Sequence, residues 1–452
     1  MSIIVTGHPG VTLTRLISAT AKVLWVFWLA MLLGSCGSHA RNPVTLSYFR
    51  LGWSQPNEWW GVAEPVSQEF VRETGIHLRN LPVPETTLDQ LALSRKLLES
   101  GSGPDVLGVD LIWSGALEGE LIDLRPYLAT EISSLEPHLL SSYIVDGKVV
   151  AVPYQVQLGV LEYHTDLLRE YGYDHPPRTW DELERMASRI QAGERAKGKR
   201  NFWGYVWQGA DAEALTCNAL EWQVGDGGGR IIEDDWTISV NNPSSIRAWQ
   251  RAKSWIGWIS PPSVVAYREL DSMNVFDSGE AAFDRIWRGA TITKLRQINF
   301  RTSRAGGNIG YTSIPSGAGA WASTLGGSGL AVSRHSVHPK EAIELVRFLI
   351  RAQIQWNEEQ ERESTDQSEV YDWPSVSDPQ NHSENSSQRM SRVVSRPSIA
   401  AGLRYEQVTR AYMGAVHSVL TGQRDAPNAA AELEKQLIKI TGFSTGPPKT
   451  AE

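Results

Sequence analysis

The spacing of apolar and polar positions marks a chain in which short strands take turns with amphipathic helices. Val44-Thr-Leu-Ser-Tyr-Phe49 alternates as a first strand and Ile76 to Val83 reads as a second. Between them Trp59 to Thr74 is a helical candidate that Pro65 must start or kink. Leu88 to Glu99 carries Leu91, Leu97 and Leu98 as a further helix. Gly103 to Asp110 is a turn into a buried third strand that ends on the carboxylate of Asp110. Strands alternating with helices predict an α/β fold with a mostly parallel sheet and short right-handed crossovers.

Val150 to Tyr163 is long and strand-like but contains Pro153, which is out of place in a central strand. It fits a chain that leaves one sheet for another, so the first crossing between lobes is placed there. Helices are predicted over Thr165 to Tyr171, Trp180 to Ala196, Pro243 to Ile256 and Asp277 to Trp287. Leu330-Ala-Val332 reads as a short strand after a glycine-rich run, and Pro339 to Gln355 as an amphipathic helix with Ala342, Leu345, Val346 and Leu349 in register. Asn357 to Ser391 is strongly polar and is expected to be a mobile insertion. Helices Ser398 to Leu420 and Ala426 to Ile440 follow.

Phe202 to Trp222 changes period within one stretch. An aromatic and β-branched run reads as a buried strand, Gln208-Gly209 breaks it, and Ala212 to Trp222 reads as a helix with Leu215, Ala219, Leu220 and Trp222 on one apolar face. A strand-to-helix corner sets side chains at the carboxyl end of a sheet, where open α/β folds hold ligands. The stretch is rich in aromatics and amides and poor in catalytic residue types, which suits holding a neutral polar molecule.

Composition narrows the class. With 452 residues the chain is long enough for two or three domain-sized units. A net charge of -8 argues against a nucleic-acid partner, which would leave a basic footprint. There are 18 Trp against 9 Phe, a surplus compatible with sugar stacking, although most Trp are expected in the core. Arg15 and Lys22 precede the uncharged run Val23 to Leu33, which is too short for a membrane span and matches a signal-peptide core. Leu33-Gly34-Ser35-Cys36 follows and resembles a bacterial lipobox, in which the cysteine thiol is lipidated. The other of the two cysteines, Cys217, then has no disulfide partner and is expected as a small buried hydrophobe.

Several chemistries are set aside. Gly225-Asp-Gly-Gly-Gly229 lacks the Lys and Ser/Thr of a phosphate loop and follows a helix, so it reads as a helix end. Neither a Gly-x-Ser-x-Gly elbow nor a His-Glu-x-x-His pair occurs, and His335 with His338 has few carboxylates in sequence reach. No metal or cofactor is expected. Glycoside hydrolysis is the enzymatic rival, since it needs two carboxylates and Glu58, Asp110 and Glu213 are available. Nothing in the sequence pairs them, so binding is the simpler hypothesis.

The lipobox, Asn201-Phe-Trp-Gly-Tyr-Val-Trp-Gln-Gly209, Leu215 to Trp222, Ile259-Ser-Pro-Pro262, Phe276 to Phe283, Thr324-Leu-Gly-Gly327 and Ser395-Arg-Pro-Ser398 occur in this order. Together they resemble the extracellular solute-binding proteins (family 1) of carbohydrate ABC importers, particularly the trehalose/maltose-binding branch, from about Val44 to Ile440. The resemblance implies a two-lobed periplasmic-binding-protein-like fold with discontinuous lobes and a multi-segment hinge. It divides the chain into a lipoprotein signal peptide (1–35), a linker (36–43), a first lobe (44–153 and 318–360) and a second lobe (154–317 and 361–445). It implies a monomer anchored through Cys36 on the outer membrane face or in the periplasm, partnered by the transmembrane subunits of an ABC permease, and without enzymatic activity.

Family binding positions map onto Glu58 and Asp110 as acceptors on the first lobe, Trp287 as a stacking face on the second, and Arg396 as a forked donor in an extended, exposed segment. Asp110 has a structural alternative, capping the element that follows it. Gln208 and Glu213 are expected at the lip of the wall made by the 202–222 stretch. The chain departs from the family at Gln155 and Gln157, where Tyr and Asp are common. It also departs at Ser328-Gly329 and at Arg288-Gly289-Ala290, where aromatic residues are common. Two stacking surfaces are therefore missing, with Trp53, Trp59 or Trp60 as candidate replacements. A sugar sensor outside transport is a second rival on those departures.

Overall fold

The computed structural model describes residues 43–49, 64–84, 86–290, 292–293, 308–318, 321–365 and 393–449. Cys36 and the signal stretch, Glu58, Trp53, Trp59, Trp60 and most of the polar 357–391 stretch lie outside the described residues. The strands in chain order are β1 (Thr45–Phe49), β2 (His77–Leu81), β3 (Val106–Asp110), a small hairpin of β4 (Ile144–Val145) and β5 (Lys148–Val149), β6 (Val152–His164), β7 (Trp203–Val206), β8 (Ala281–Ala290), β9 (Ile309–Thr312), β10 (Ser323–Val332) and β11 (Val393–Val394). Nine of them form one sheet in the order β2-β1-β3-β10-β6-β8-β7, with β11 on β10 and β9 on β6. Among the described residues no helix is long and apolar enough to cross a membrane.

The predicted parallel pairing holds at the flanks, β1 with β2 and β3, and β7 with β8. The middle of the sheet departs from it: β10 runs antiparallel to both β3 and β6, and β6 antiparallel to β8. The expectation that the chain leaves one sheet near Pro153 is also corrected. Pro153 lies inside β6, a thirteen-residue strand. The ladder to β10 absorbs it through a register shift between Ser328 and Gly329, the kind of irregularity that accommodates a residue without an N–H. Along its length β6 changes neighbours, pairing with β10 over Val152–Leu158, with β8 over Val156–Tyr163 and with β9 over Leu161–His164.

The segment predicted as a helix from Asp277 to Trp287 is instead the end of helix Glu269–Asp277 followed by strand β8. Phe283, Ile286 and Trp287 satisfy helical spacing, but β6 and β7 offer ladders on both sides and tertiary pairing prevails over local period. The short strand expected at Leu330–Val332 begins at Ser323 and runs through the glycines. Helix Pro339–Thr365 extends beyond Gln355 into the polar stretch, where Asn357 is fully buried and accepts a hydrogen bond from the Ile292 N–H at 2.9 Å.

Helix Glu213–Gly225 is not amphipathic: every residue from Ala214 to Gly225 is buried. Its polar side chains each make at least one hydrogen bond, as buried polar groups generally do, although Asn218 Oδ1 is left buried without a partner. Thr216 meets Thr409 at 2.8 Å, Asn218 donates to the Gln208 carbonyl at 2.8 Å, and Gln223 accepts from Tyr412 at 2.9 Å. Six of the twelve described tryptophans are buried, so the core accounts for half of them and not for most. Trp222 meets Trp207 and Trp255 edge-to-face at 5.0 and 5.7 Å, and Trp180 and Tyr205 close on Trp255 at 5.3 and 5.6 Å. Cys217 is a free, buried thiol, and burial pushes it up to about 12.

Glu162 and Asp284 stand opposite each other across β6 and β8, and both are buried. Burial is the main cause that pushes Glu162 up to about 8, with Arg288 opposing it, and burial with the neighbouring Glu162 raises Asp284 well above the usual carboxylate range.

Two outcomes follow from this core. Trp222→Ala removes a ring from the edge-to-face cluster and is expected to lower unfolding free energy by about 3–5 kcal/mol in denaturant titration. The Glu162–Asp284 pair holds protons that an unfolded chain, with carboxyl pKa values near about 4, has released. Its contribution is therefore complete below pH ~4 and lost as pH rises through about 8. Melting temperature is expected to fall across this window in the wild type and to fall less in Asp284→Asn; equal slopes refute the assignment.

Candidate functional site

Cross-strand partners in a paired ladder project on the same side, and alternate residues share a face. Asp110 of β3 pairs with Ser328 of β10, which pairs with Gln155 of β6. The next row is Gly326, Gln157 and Gly289 of β8, and beyond it Gly159 pairs with Trp287. One face of the central sheet thus carries Asp110, Ser328, Gln155, Gln157 and Trp287, with three glycines, Gly326, Gly289 and Gly159, among them.

Solvent reaches the central strands at this patch. In β6 every residue is buried except Gln157, and in β10 every residue except Gly327 and Ser328. Asp110 at the end of β3 keeps 26% of its side chain exposed, and Trp287 is partly exposed. Three contiguous atoms of the indole edge, Cζ3, Cε3 and Cη2, lie 2.8–3.2 Å from where a Cβ on Gly326 would stand, so only glycine lets the ring lean across β6. The Ser328 hydroxyl is buried without a hydrogen-bond partner.

Asp110 is electrostatically distinctive. Burial, opposed by Arg396 and the Ile112 N–H, pushes its carboxyl up to about 6. It also caps the turn Leu111–Trp113 by accepting from Ile112 N at 3.2 Å, so the capping role and an accessible carboxylate coexist.

The remaining predicted residues lie behind this face rather than on it. Arg396, expected in an exposed segment, is buried. Its fork is taken by Glu213 (Nη1 to Oε1, 2.9 Å) and by the Leu325 carbonyl (3.3 Å), while Asp110 lies 3.8 Å from Nη2. Glu213 also accepts from Tyr405 and, at 2.8 Å, from Thr409. Gln208, expected at a lip, is buried and donates to Ser272 and to the Arg285 carbonyl, both at 2.7 Å. These three residues brace the wall from inside, because all their polar atoms but Arg396 Nε already have partners within the protein.

A buried ion pair was not anticipated from sequence. Arg285 Nε and Nη2 donate to Glu221 at 3.0 and 2.6 Å, and both side chains are 1% exposed. The one local signal is that Arg285 and Trp287 are two apart, which puts them on one face once the segment is a strand. Among the described residues no group of three or more His, Cys, Asp or Glu could hold a metal ion, and His335 instead meets Glu120 at 2.7 Å.

Comparison with known proteins agrees with this architecture. The family described as "Bacterial extracellular solute-binding protein" matches residues 61–356. A "Probable ABC transporter-binding protein" of Deinococcus radiodurans is 38% identical over 383 residues, covering 82% of this chain and 89% of the relative. The "Maltodextrin-binding protein MdxE" of Bacillus subtilis is 24% identical over 328 residues, covering 71% of this chain and 73% of that one. The solved structure "Maltose bound T. maritima MalE3" superposes with a TM-score of 0.73 at 26% identity, covering 88% of this chain and all of that one. The chain belongs to the bacterial extracellular solute-binding proteins, and its α/β fold is the two-lobed one of periplasmic sugar-binding proteins.

Removing Glu213 takes the nearer carboxylate from the buried Arg396 charge and leaves only the partly exposed Asp110, 3.8 Å away. Glu213→Ala is therefore expected to cost about 3–5 kcal/mol of unfolding free energy. A loss under about 1 kcal/mol in denaturant titration, the range of an exposed pair, contradicts an internal bracing role.

Proposed function

We propose that this chain is the solute-binding subunit of an ABC importer and captures a neutral hydroxylated solute, an oligosaccharide, between its lobes. The observation that carries this is the opening onto the central sheet, where a carboxylate, an amide, a hydroxyl and an indole meet on neighbouring strands. Carboxylates and amides accept and donate to sugar hydroxyls, and an indole face suits the apolar side of a pyranose. The names of the relatives, a maltodextrin-binding protein and a maltose-bound structure, point to the same ligand class.

In this reading Trp287 stacks on a sugar ring, Asp110 accepts from its hydroxyls, and Gln157 and Ser328 line the floor. Gln155 lies in the same register row, while Gln208, Glu213 and Arg396 hold the wall behind it. Glu58 would contribute from the first lobe. The lobes are taken as 44–153 with 318–360 and 154–317 with 361–445. Strand β6 is the natural flexure, since its two halves pair with different neighbours, and hinge closure about such segments captures ligands. The signal peptide and lipidation at Cys36 place the mature protein, acting as a monomer, at the outer membrane face or in the periplasm, where a permease can receive the solute.

Sugar hydrolysis is the second reading, and the observation favouring it is the Asp110 carboxyl held near 6, the range of a general acid. Against it, Glu213 is already committed to three donors. Turnover of α-linked disaccharides abolished by Asp110→Asn supports hydrolysis and refutes binding alone.

A thermal-shift panel of mono- and disaccharides is expected to raise the melting temperature, because a ligand selective for the folded state stabilises it. A panel in which only unrelated metabolites shift it overturns the ligand class. Trp287→Ala is expected to weaken the best ligand about tenfold, or ~1.4 kcal/mol, with melting still cooperative; unchanged affinity removes Trp287 from the site. Since the ionised carboxylate is the stronger acceptor, wild-type affinity is expected to fall as pH drops through about 6. Asp110→Asn is expected to be weaker and flat over the same range.

A further inference from the structure

The Arg285 guanidinium lies over the Trp287 ring with Cζ 4.1 Å from the ring centroid. The same guanidinium is fixed from the other direction. It makes the two-point contact with Glu221 of helix Glu213–Gly225, and Nη2 donates to Thr324 Oγ1 at 2.9 Å. Glu221 in turn accepts from the Thr324 N–H at 3.1 Å and from its hydroxyl. The Arg285 carbonyl is held by Gln208. A Cβ on Gly159 would collide with Glu221 Oε1 and Arg285 Nη2, so β6 has glycine where the ion pair crosses it.

This arrangement is demanding for a purely structural pair. Two charges are taken wholly out of water, and Arg285 Nη1 is left buried with no hydrogen-bond partner. What the pair does hold is the indole. The ring's edge rests on Gly326, one face is covered by the guanidinium, and partial exposure remains to the ring. An indole otherwise free to change rotamer loses that freedom when a ligand arrives; one already clamped does not. The guanidinium supplies this clamp through a planar cation–π contact that an ammonium does not reproduce.

We propose that Arg285, braced by Glu221 and Thr324, is a positioning residue that fixes the Trp287 indole in its ligand-accepting orientation before ligand binds. The proposal rests on Trp287 being the stacking surface of the solute site. Arg285 acts through Trp287 and not by touching the solute.

The test uses the full chain labelled with 5-fluorotryptophan, with the Trp287 ¹⁹F resonance assigned by Trp287→Phe. In Arg285→Lys, which keeps the charge opposite Glu221 but loses the plane, the ligand-free Trp287 resonance is expected to shift and broaden. Affinity for the best solute of the thermal-shift panel is expected to fall about fivefold. Introduced into Trp287→Ala, the same change is expected to cost less than about twofold, since a residue acting only through another shows full coupling in a double-mutant cycle. An unmoved resonance, or an undiminished loss in the Trp287→Ala background, overturns the proposal. If the lysine variant does not fold, Thr324→Val removes the hydroxyl bridging both partners and is read the same way. If no panel molecule binds even the wild type, the solute reading fails, while the ligand-free ¹⁹F resonance still decides whether Arg285 positions the ring.

Discussion

The buried Arg285–Glu221 pair stands where four elements of this protein meet: strand β8, the glycine of β6 beneath it, the start of β10 through Thr324, and the helix Glu213–Gly225. A charge pair with 1% exposure cannot be left half made, because either partner alone would be a bare ion in a low-dielectric interior. That requirement fixes the depth of the helix, keeps Gly159 a glycine, and sets where the Trp287 ring stands. The full burial of the helix follows from the same constraint, since Thr216, Asn218 and Gln223 must also find partners on the strands and helices around it.

A second buried cluster repeats this logic nearer the opening. Arg396 reaches Glu213 and the Leu325 carbonyl and comes within 3.8 Å of Asp110. Its position lets one carboxylate stay committed to the protein while the other keeps a quarter of its side chain in solvent. The proposed solute site is thus a thin polar layer in front of two internal ion pairs. Among the described residues, polar groups remain for a ligand where β3, β6, β8 and β10 lie open.

The departures from the family pattern gain a physical sense in this setting. Gly289 and Ser328 leave the floor low between Asp110 and Trp287, and Gly326 receives the indole edge. With smaller residues at these positions, the proposed site offers one indole with polar groups beside it in place of several aromatic faces. Ser328 contributes a hydroxyl that the protein itself leaves unmatched.

Read alone, the sequence determined most of what is local. The alternation of strands and helices, the strand-to-helix corner at residues 202–222, the helix end at Gly225, and the ordered motifs that define the family are written in neighbouring residues, because caps, turns and amphipathic faces depend on spacings of a few positions. It also singled out Asp110 and Trp287, which lie at the opening. Tertiary structure decided the rest. The Ala281–Ala290 segment fits a helical period as well as an extended one, and only the ladders of β6 and β7 choose between them. The antiparallel centre, Pro153 within a continuous strand, and the withdrawal of Gln208, Glu213 and Arg396 behind the wall share one cause. Each depends on a partner far along the chain, as Arg285 depends on Glu221 across 64 positions. No local spacing encodes which buried charge will meet which.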